Sequence, residues 1–315
     1  MNCIINPILF CMANLDIITE FILSDEKQEI LDKFPDNNNF IRNFHDLMVD
    51  IRDNNILSPN FINMHKYLQT EMKETYKCQD PKFIINSFLS KLDEEIKLAQ
   101  VDKNNKFSNL IQDYFSFTLI TTKTCKNYSP SSEQSVEKIE KKEEKQQCII
   151  IDLFLGESVL SSAVDFEDNF RDFLLSKEAI DNFHELCSFC HYGMNLSKSV
   201  ENLKKYLIIN IINREKESQN LIKLKYSSLK LKRVDNKDNY FELISALCDI
   251  NTNTENIEQN ELIKINEKNG NDFRIFFKNF INDKWYANTE MKEEIDIEKV
   301  LNEECKPNIL IYKRV

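Results

Sequence analysis

Residues 1–23 read MNCIINPILFCMANLDIITEFIL, and the way this apolar run is broken decides what kind of chain follows. Ile8, Leu9, Met12, Leu15, Ile18 and Ile22 recur at helical intervals, with an interruption at Asn14, Leu15 and Asp16. The stretch therefore reads as one long helix or two short ones. It has no basic leader and is punctuated by Asn6, Pro7, Asn14 and Asp16, unlike a secretory signal. Nor does it suit a bilayer span, which wants roughly 20 mainly apolar residues. A soluble, intracellular protein without membrane contact is expected. Cys3 has two readings at such a place: a nucleophile at a helix start, or a small buried hydrophobe.

Composition narrows the function. With 315 residues, 42% of them hydrophobic and 22 of them Phe, the chain can bury a sizeable core. A net charge of −11 argues against direct DNA binding, which needs concentrated Lys and Arg, and favours a protein partner. Nine irregularly spaced Cys are expected to be reduced thiols in the nucleus or cytoplasm. Only Gly156, Gly193 and Gly270 are present, which removes any glycine-rich phosphate loop.

Two further segments carry clear helix signals. FIRNFHDLMVDIR (40–52) is amphipathic, and Ser58-Pro59 then reads as an N-cap and first-turn pair for NFINMHKYLQTEM. Asp80-Pro81 repeats that arrangement before a helix whose stripe is Phe83, Ile84, Phe88, Leu92 and Ile96. After VDKNN the pattern changes to short β-prone runs: 114–124, 148–156, 206–212, 221–231, 240–247, 261–265, 273–280, 284–288 and 309–315. Between the first two lies SPSSEQSVEKIEKKEEKQQ (129–147), whose charge density predicts a solvated loop. The division expected is a helical thumb-like part over 1–105 and a β-rich fingers-and-palm part over 106–315, with 129–147 as a charged insertion.

The order of these pieces resembles the ubiquitin-specific proteases, papain-like cysteine hydrolases that remove ubiquitin from proteins. The family's first box is roughly T-C-Y-x-N-S-x-L-Q-x-L, and Asn2 to Met12 lie on it without a gap. QDPKFII from Gln79 and LDEEI from Leu92 resemble Q-D-A-x-E-F-L and the L-H-E-E-L that closes the following helix. NLIQDYFSFTLITTKTC and ELCSFC are similar to the two zinc knuckles and the strands beside them, and LKKYLIINIINRE to L-P-x-x-L-x-x-x-L-x-R. NDFRIFFKN, KWYANTE and ILIYKR resemble the closing boxes. The resemblance implies an α+β papain-like fold, with a helical N-terminal half and a mainly antiparallel C-terminal half.

It also implies which residues would do the chemistry. Cys3 takes the nucleophile position, at a helix start whose positive end lowers a thiol pKa. The family's His position falls on Asp272 and its orienting Asp/Asn position on Thr289, and no His follows His191. A carboxylate beside the thiol raises its pKa and reverses the required electrostatics. The oxyanion-donating Asn should lie a few residues upstream of Cys3, where Met1 and Asn2 stand. Cys125, Cys187 and Cys190 remain of the zinc knuckles, with Tyr128 at the fourth position and His184 and His191 alongside. No cofactor is expected, and a zinc ion would need one of those His as its fourth ligand.

Phe273-Arg274-Ile275 and Lys284-Trp285-Tyr286 resemble the family's inactive, splicing-associated branch of the tri-snRNP, which carries Tyr-Arg-Ile there. That branch has lost the Cys kept here at Cys3 and usually bears a further zinc-finger domain. The expectation is a catalytically silent scaffold for a protein or ribonucleoprotein complex, plausibly spliceosomal. An active thiol-dependent deubiquitinase and a ubiquitin-binding module without turnover are the alternatives.

Overall fold

The structure is a computed structural model, which describes residues 4–33, 39–52, 59–99, 106–125, 141–155, 174, 183–188, 191–213, 228–232, 238–249, 273–278, 282–287, 295–297, 300–301 and 306–315. The opening run forms two helices, α1 (Ile5–Ala13) and α2 (Asp16–Leu23), bent by 79° at Asn14 and Leu15. The break has local causes. Asn14 donates from its side-chain amide to the Phe10 carbonyl at 2.8 Å, Thr19 donates its hydroxyl to the Ala13 carbonyl at 2.8 Å, and Leu15 is extended. The last carbonyls of α1 are thus closed off locally, Cys11 and Met12 by the backbone N–H groups of Asn14 and Leu15, and Phe10 and Ala13 with the help of side chains, in place of a continuing helix. No single helix among the described residues is long and apolar enough to cross a membrane.

Six more helices follow: α3 (Glu26–Leu31), α4 (Phe40–Arg52), α5 (Pro59–Glu71), α6 (Lys73–Lys77), α7 (Pro81–Leu98) and α8 (Leu110–Tyr114). The Asp80-Pro81 signal is realised as written, since the Asp80 carboxylate accepts the Lys82 N–H at 2.9 Å and Pro81 opens the first turn. Ser58 lies outside the described residues. The stripe of α7 needs one correction: Ile84, Phe88, Leu92 and Ile96 are buried, but Phe83 is 45% exposed. The seam runs through Ile84, Ile85, Phe88, Leu89, Leu92 and Ile96, the three-and-four spacing of one helix face, and Phe83 stands a hundred degrees off Ile84.

Helix α4 is anchored by a side chain from α7. Glu95 is 3% exposed, and its two carboxylate oxygens accept the N–H groups of Phe40 at 2.8 Å and Ile41 at 2.9 Å. Asn39 accepts the Arg42 N–H at 2.8 Å. These bonds fill the donors that the start of α4 leaves without an intrahelical partner.

Two sheets make up the rest. Strands β1 (Phe117–Cys125), β2 (Lys141–Cys148) and β4 (Met194–Glu201) form an antiparallel three-stranded sheet in the order β2-β1-β4. The larger sheet contains β3 (Ile150–Leu155), β5 (Tyr206–Asn213), β6 (Ser228–Lys232), β7 (Asp238–Asp249), β8 (Phe273–Lys278), β9 (Trp285–Ala287) and β10 (Lys306–Arg314). Its order is β3-β5-β10-β7-β8-β9, with β6 also on β7. Among the described strands only β3 and β5 pair in parallel. Side chains alternate across this sheet: Ile208, Leu247, Ile275, Ile309 and Ile311 join the core that holds the helices. Leu207, Ile209, Ala246, Phe276, Leu310 and Tyr312 join a second core on the other face.

Three differences from the sequence reading have physical reasons. Residues 141–147 of the expected charged loop are strand β2, paired residue by residue with β1 from Thr124↔Lys141 to Thr118↔Gln147. This is an edge strand, exposed on both faces, so it has no apolar alternation to reveal it, and its charges suit an unpaired edge. Residues 129–140 lie outside the described residues. Strand β4 escaped notice for a similar reason, because of MNLSKSVE only Met194 is buried. Tyr114, placed at a strand start by its β propensity, instead ends α8; the strand begins at Phe117. The runs at 221–227 and 261–265 are outside the described residues.

Candidate functional site

Cys3, Asp272 and Thr289, the three positions that the family pattern marks, all lie outside the described residues, but the elements bordering them are placed. Ile4, next to Cys3, is buried and leads into α1; Phe273, next to Asp272, opens β8; Ala287 closes β9 two residues before Thr289. The antiparallel register Phe276↔Ala287, Phe277↔Tyr286, Lys278↔Trp285 runs the end of β9 back toward the start of β8. Helix α1 packs on β7 and β8, with Ile4, Ile5 and Ile8 in one core with Leu247 and Ile275, and Phe273 packed against it. The three bordering elements therefore belong to one packed unit.

A buried polar chain ties that unit together. Cys11 Sγ on α1 lies 3.2 Å from Ser245 Oγ on β7, and Ser245 donates its hydroxyl to the Phe276 carbonyl on β8 at 3.1 Å. Burial pushes the Cys11 thiol up to about 12, only partly offset by the Ser245 bond. Cys11 is thus a protonated structural thiol and no nucleophile.

The four imidazoles of the chain are all placed. His45 on α4 meets the Asp46 carboxylate at 2.9 Å. His184 and His191 are exposed beside Cys187. His65 on α5 is 4% exposed, and its Nε2 lies 2.8 Å from Asn6 Oδ1 in the first turn of α1. Its ring stands edge-on to Tyr76 at 5.8 Å, and its Nδ1 has no hydrogen-bond partner among the described residues. With no described carboxylate beside it to hold a positive charge, burial lowers the His65 pKa below the ordinary 6.5. The ring is neutral at pH 7: one nitrogen donates to Asn6 and the other carries a lone pair. The family box had marked Asn6 and the helix pattern had marked His65, but 59 positions separate them, and no local signal pairs them.

This buried imidazole has a pH signature. An unfolded chain takes up the His65 proton near pH 6.5, whereas the folded chain does so only at lower pH, so stability falls as pH drops below about 6.5. The limiting slope is about 1.4 kcal/mol per pH unit for one proton. Urea midpoints of the wild type between pH 7 and 5 are expected to fall more steeply than those of His65→Gln, and superimposable slopes would refute the assignment.

The knuckle residues are partly gathered. Pairing of Cys125 with Met194 sets the end of β1 against the start of β4, and Cys125, Cys187 and Met194 form a small buried cluster with Phe183 against it. A tight turn follows, in which Cys187 N–H bonds the Tyr192 carbonyl at 2.8 Å and His191 N–H bonds the Cys187 carbonyl at 2.9 Å. His191 turns through φ 56°, and a Leu186↔Gly193 bridge closes the loop. Cys190 lies outside the described residues. Among the described residues no three His, Cys, Asp or Glu side chains converge as metal ligands, so the described donors do not by themselves fit a tetrahedral zinc.

No known family profile matches the chain, and no curated protein does. Solved structures do. The Ubp8/Sgf11/Sus1/Sgf73 deubiquitinating module of SAGA bound to ubiquitin aldehyde superposes with a TM-score of 0.66 at 15% identity, over 99% of this chain and 67% of that one. A Ubp8 variant assembled with Sgf11, Sus1 and Sgf73 gives 0.64 at 16% identity, over 100% and 67%. The yeast module with a variant Sgf73 gives 0.56 at 16% identity, over 99% and 66%. The likeness runs over essentially the whole of this chain, so this chain has the α+β fold of the ubiquitin-specific proteases.

Proposed function

We propose that this chain is a catalytically silent ubiquitin-specific-protease-like protein that serves as an interaction scaffold inside the cell. The observation that supports this most is where the imidazoles are: on α4, on α5 and on either side of Cys187, with none on β8 or β9, beside which the family's box falls on Asp272. On the family pattern the base would stand at Asp272, and a cysteine without an imidazole to accept its proton keeps its thiol form at neutral pH. Assembly of the solved neighbours with Sgf11, Sus1 and Sgf73, one of them bound to ubiquitin aldehyde, supports a protein complex and ubiquitin as partner classes here. The Phe273-Arg274-Ile275 resemblance points the scaffold toward a spliceosomal ribonucleoprotein. Packing of Cys125 and Cys187 against Met194 supports a knuckle held without metal.

One observation favours a working hydrolase instead. His65 is bonded to Asn6, three residues after Cys3, and its Nδ1 is unpartnered among the described residues. Its burial makes it a weak base, which is why the silent reading is preferred.

The purified protein is expected neither to form an adduct at Cys3 with a ubiquitin-vinyl electrophile nor to cleave a fluorogenic ubiquitin substrate above a Cys3→Ala control. Native mass spectrometry should show no stoichiometric zinc, and pull-down from extract should recover spliceosomal components. Labelling that disappears in His65→Gln would establish the hydrolase reading in its place.

A further inference from the structure

The fold builds a cationic groove away from the β8–β9 hairpin. Its volume is about 490 Å³, and it lies where the β4–β5 turn meets the end of β10 and α8. Asn202 makes the turn with φ 56°. Lys204, Lys205 and Arg314 line it together with Asp113 and Val315.

These cations are held in different ways. Arg314 is pre-set: its backbone N–H bonds the Lys205 carbonyl at 2.7 Å, and one guanidinium nitrogen meets the Leu203 carbonyl at 3.4 Å. Among the described residues no other partner meets the remaining donors of its fork. Lys205 is committed to Asp16 at 3.1 Å and lies over the Tyr206 ring at 5.4 Å. Lys204 makes no ion pair among the described residues. Lys204, Lys205, Lys313 and Arg314 outnumber Asp16 and Asp113 by two charges, in a chain whose net charge is −11. A locally positive concavity in an acidic protein attracts a compact anion and rejects a polyanion, whose further charges meet the surrounding field.

We propose that this groove binds a short acidic peptide segment of a partner protein, a carboxylate pairing with Arg314 and Lys204. Arg presents its donors in the planar fork that a carboxylate matches with two bonds. Asp113 decides between a peptide and a phosphate. A phosphate dianion gains only repulsion from that carboxylate, whereas a peptide can offer it a backbone N–H or a Lys next to its own acidic residue. The proposal deepens the scaffold reading and rests on it for the kind of partner, but peptide affinity and hydrolysis are read separately: labelling at Cys3 would end that reading and leave the groove untouched.

The test is fluorescence anisotropy of the full chain with a dye-labelled, end-blocked Glu-Glu-Gly-Lys peptide in 50 mM salt. Saturable binding is expected, weakened at least tenfold by Lys204→Glu and by Arg314→Gln with circular dichroism unchanged. Asp113→Lys should reverse the preference, favouring an all-Glu peptide over the Lys-bearing one. Inorganic phosphate at equal concentration should not compete. Absence of saturable binding, binding indifferent to Lys204→Glu, or equal affinity for phosphate or an oligouridine would each overturn the proposal.

Discussion

Replacing Glu95 with alanine is expected to lower stability by about 2–4 kcal/mol, because it strips two buried backbone donors of their acceptors at once. The Phe40 and Ile41 N–H groups sit at the start of α4 with the Phe40, Phe44 and Phe88 rings packed around them, and water has no access to replace the carboxylate. Differential scanning calorimetry should show a fall of several degrees in Tm, and Glu95→Gln, which keeps one acceptor, should fall by roughly half as much. A pH effect accompanies it. Burial raises the Glu95 pKa above its ordinary 4.5, against the pull of the Ile41 and Phe40 N–H groups. The folded chain therefore holds this proton more tightly than the unfolded one, and the contribution of Glu95 declines as pH rises through the window above 4.5. Glu95→Gln should remove that slope. An alanine variant as stable as wild type would show that α4 is held by its apolar face alone.

Converting Asp272 to histidine is expected to raise the rate of Cys3 labelling by a ubiquitin-vinyl electrophile at least tenfold. If the family pattern holds the two residues together, the change acts twice, removing a negative charge that would disfavour the thiolate and supplying an imidazole to accept its proton. General acid–base catalysis contributes about 10²–10⁴-fold where geometry is right, and a gain at the low end is expected from a single substitution in a site not otherwise tuned for it. Asp272→Asn separates the two effects, since it removes the charge and adds no base; it should give a smaller gain. Wild-type labelling as fast as Asp272→His would mean that Asp272 is irrelevant to the thiol, and the scaffold reading would lose its main support.

Local patterns carried the fold class a long way. Helix α4 spans the amphipathic stretch 40–52 and α7 begins at its Asp80-Pro81 signal, while β5, β7 and β10 overlap the apolar runs that announce them and β8 lies inside its own. Each announces itself because it buries one or both of its faces and needs apolar residues at a fixed period. Strands β2 and β4 have little to bury, so nothing in KKEEKQQC or MNLSKSVE distinguishes them from loops. They are held by the ladder to β1, a backbone interaction to which side-chain identity contributes little.

The candidate site divides along the same line. Composition and order alone determined that a helical part precedes a mainly sheet part, in an order resembling the ubiquitin-specific proteases, and that no imidazole follows residue 191. Tertiary structure decided the pairings across long separations: Glu95 with the start of α4, Cys11 with Ser245, His65 with Asn6, and Arg314 with Leu203. A hydrogen bond depends on two atoms arriving within about 3 Å, and only the packed chain sets that distance for residues dozens of positions apart.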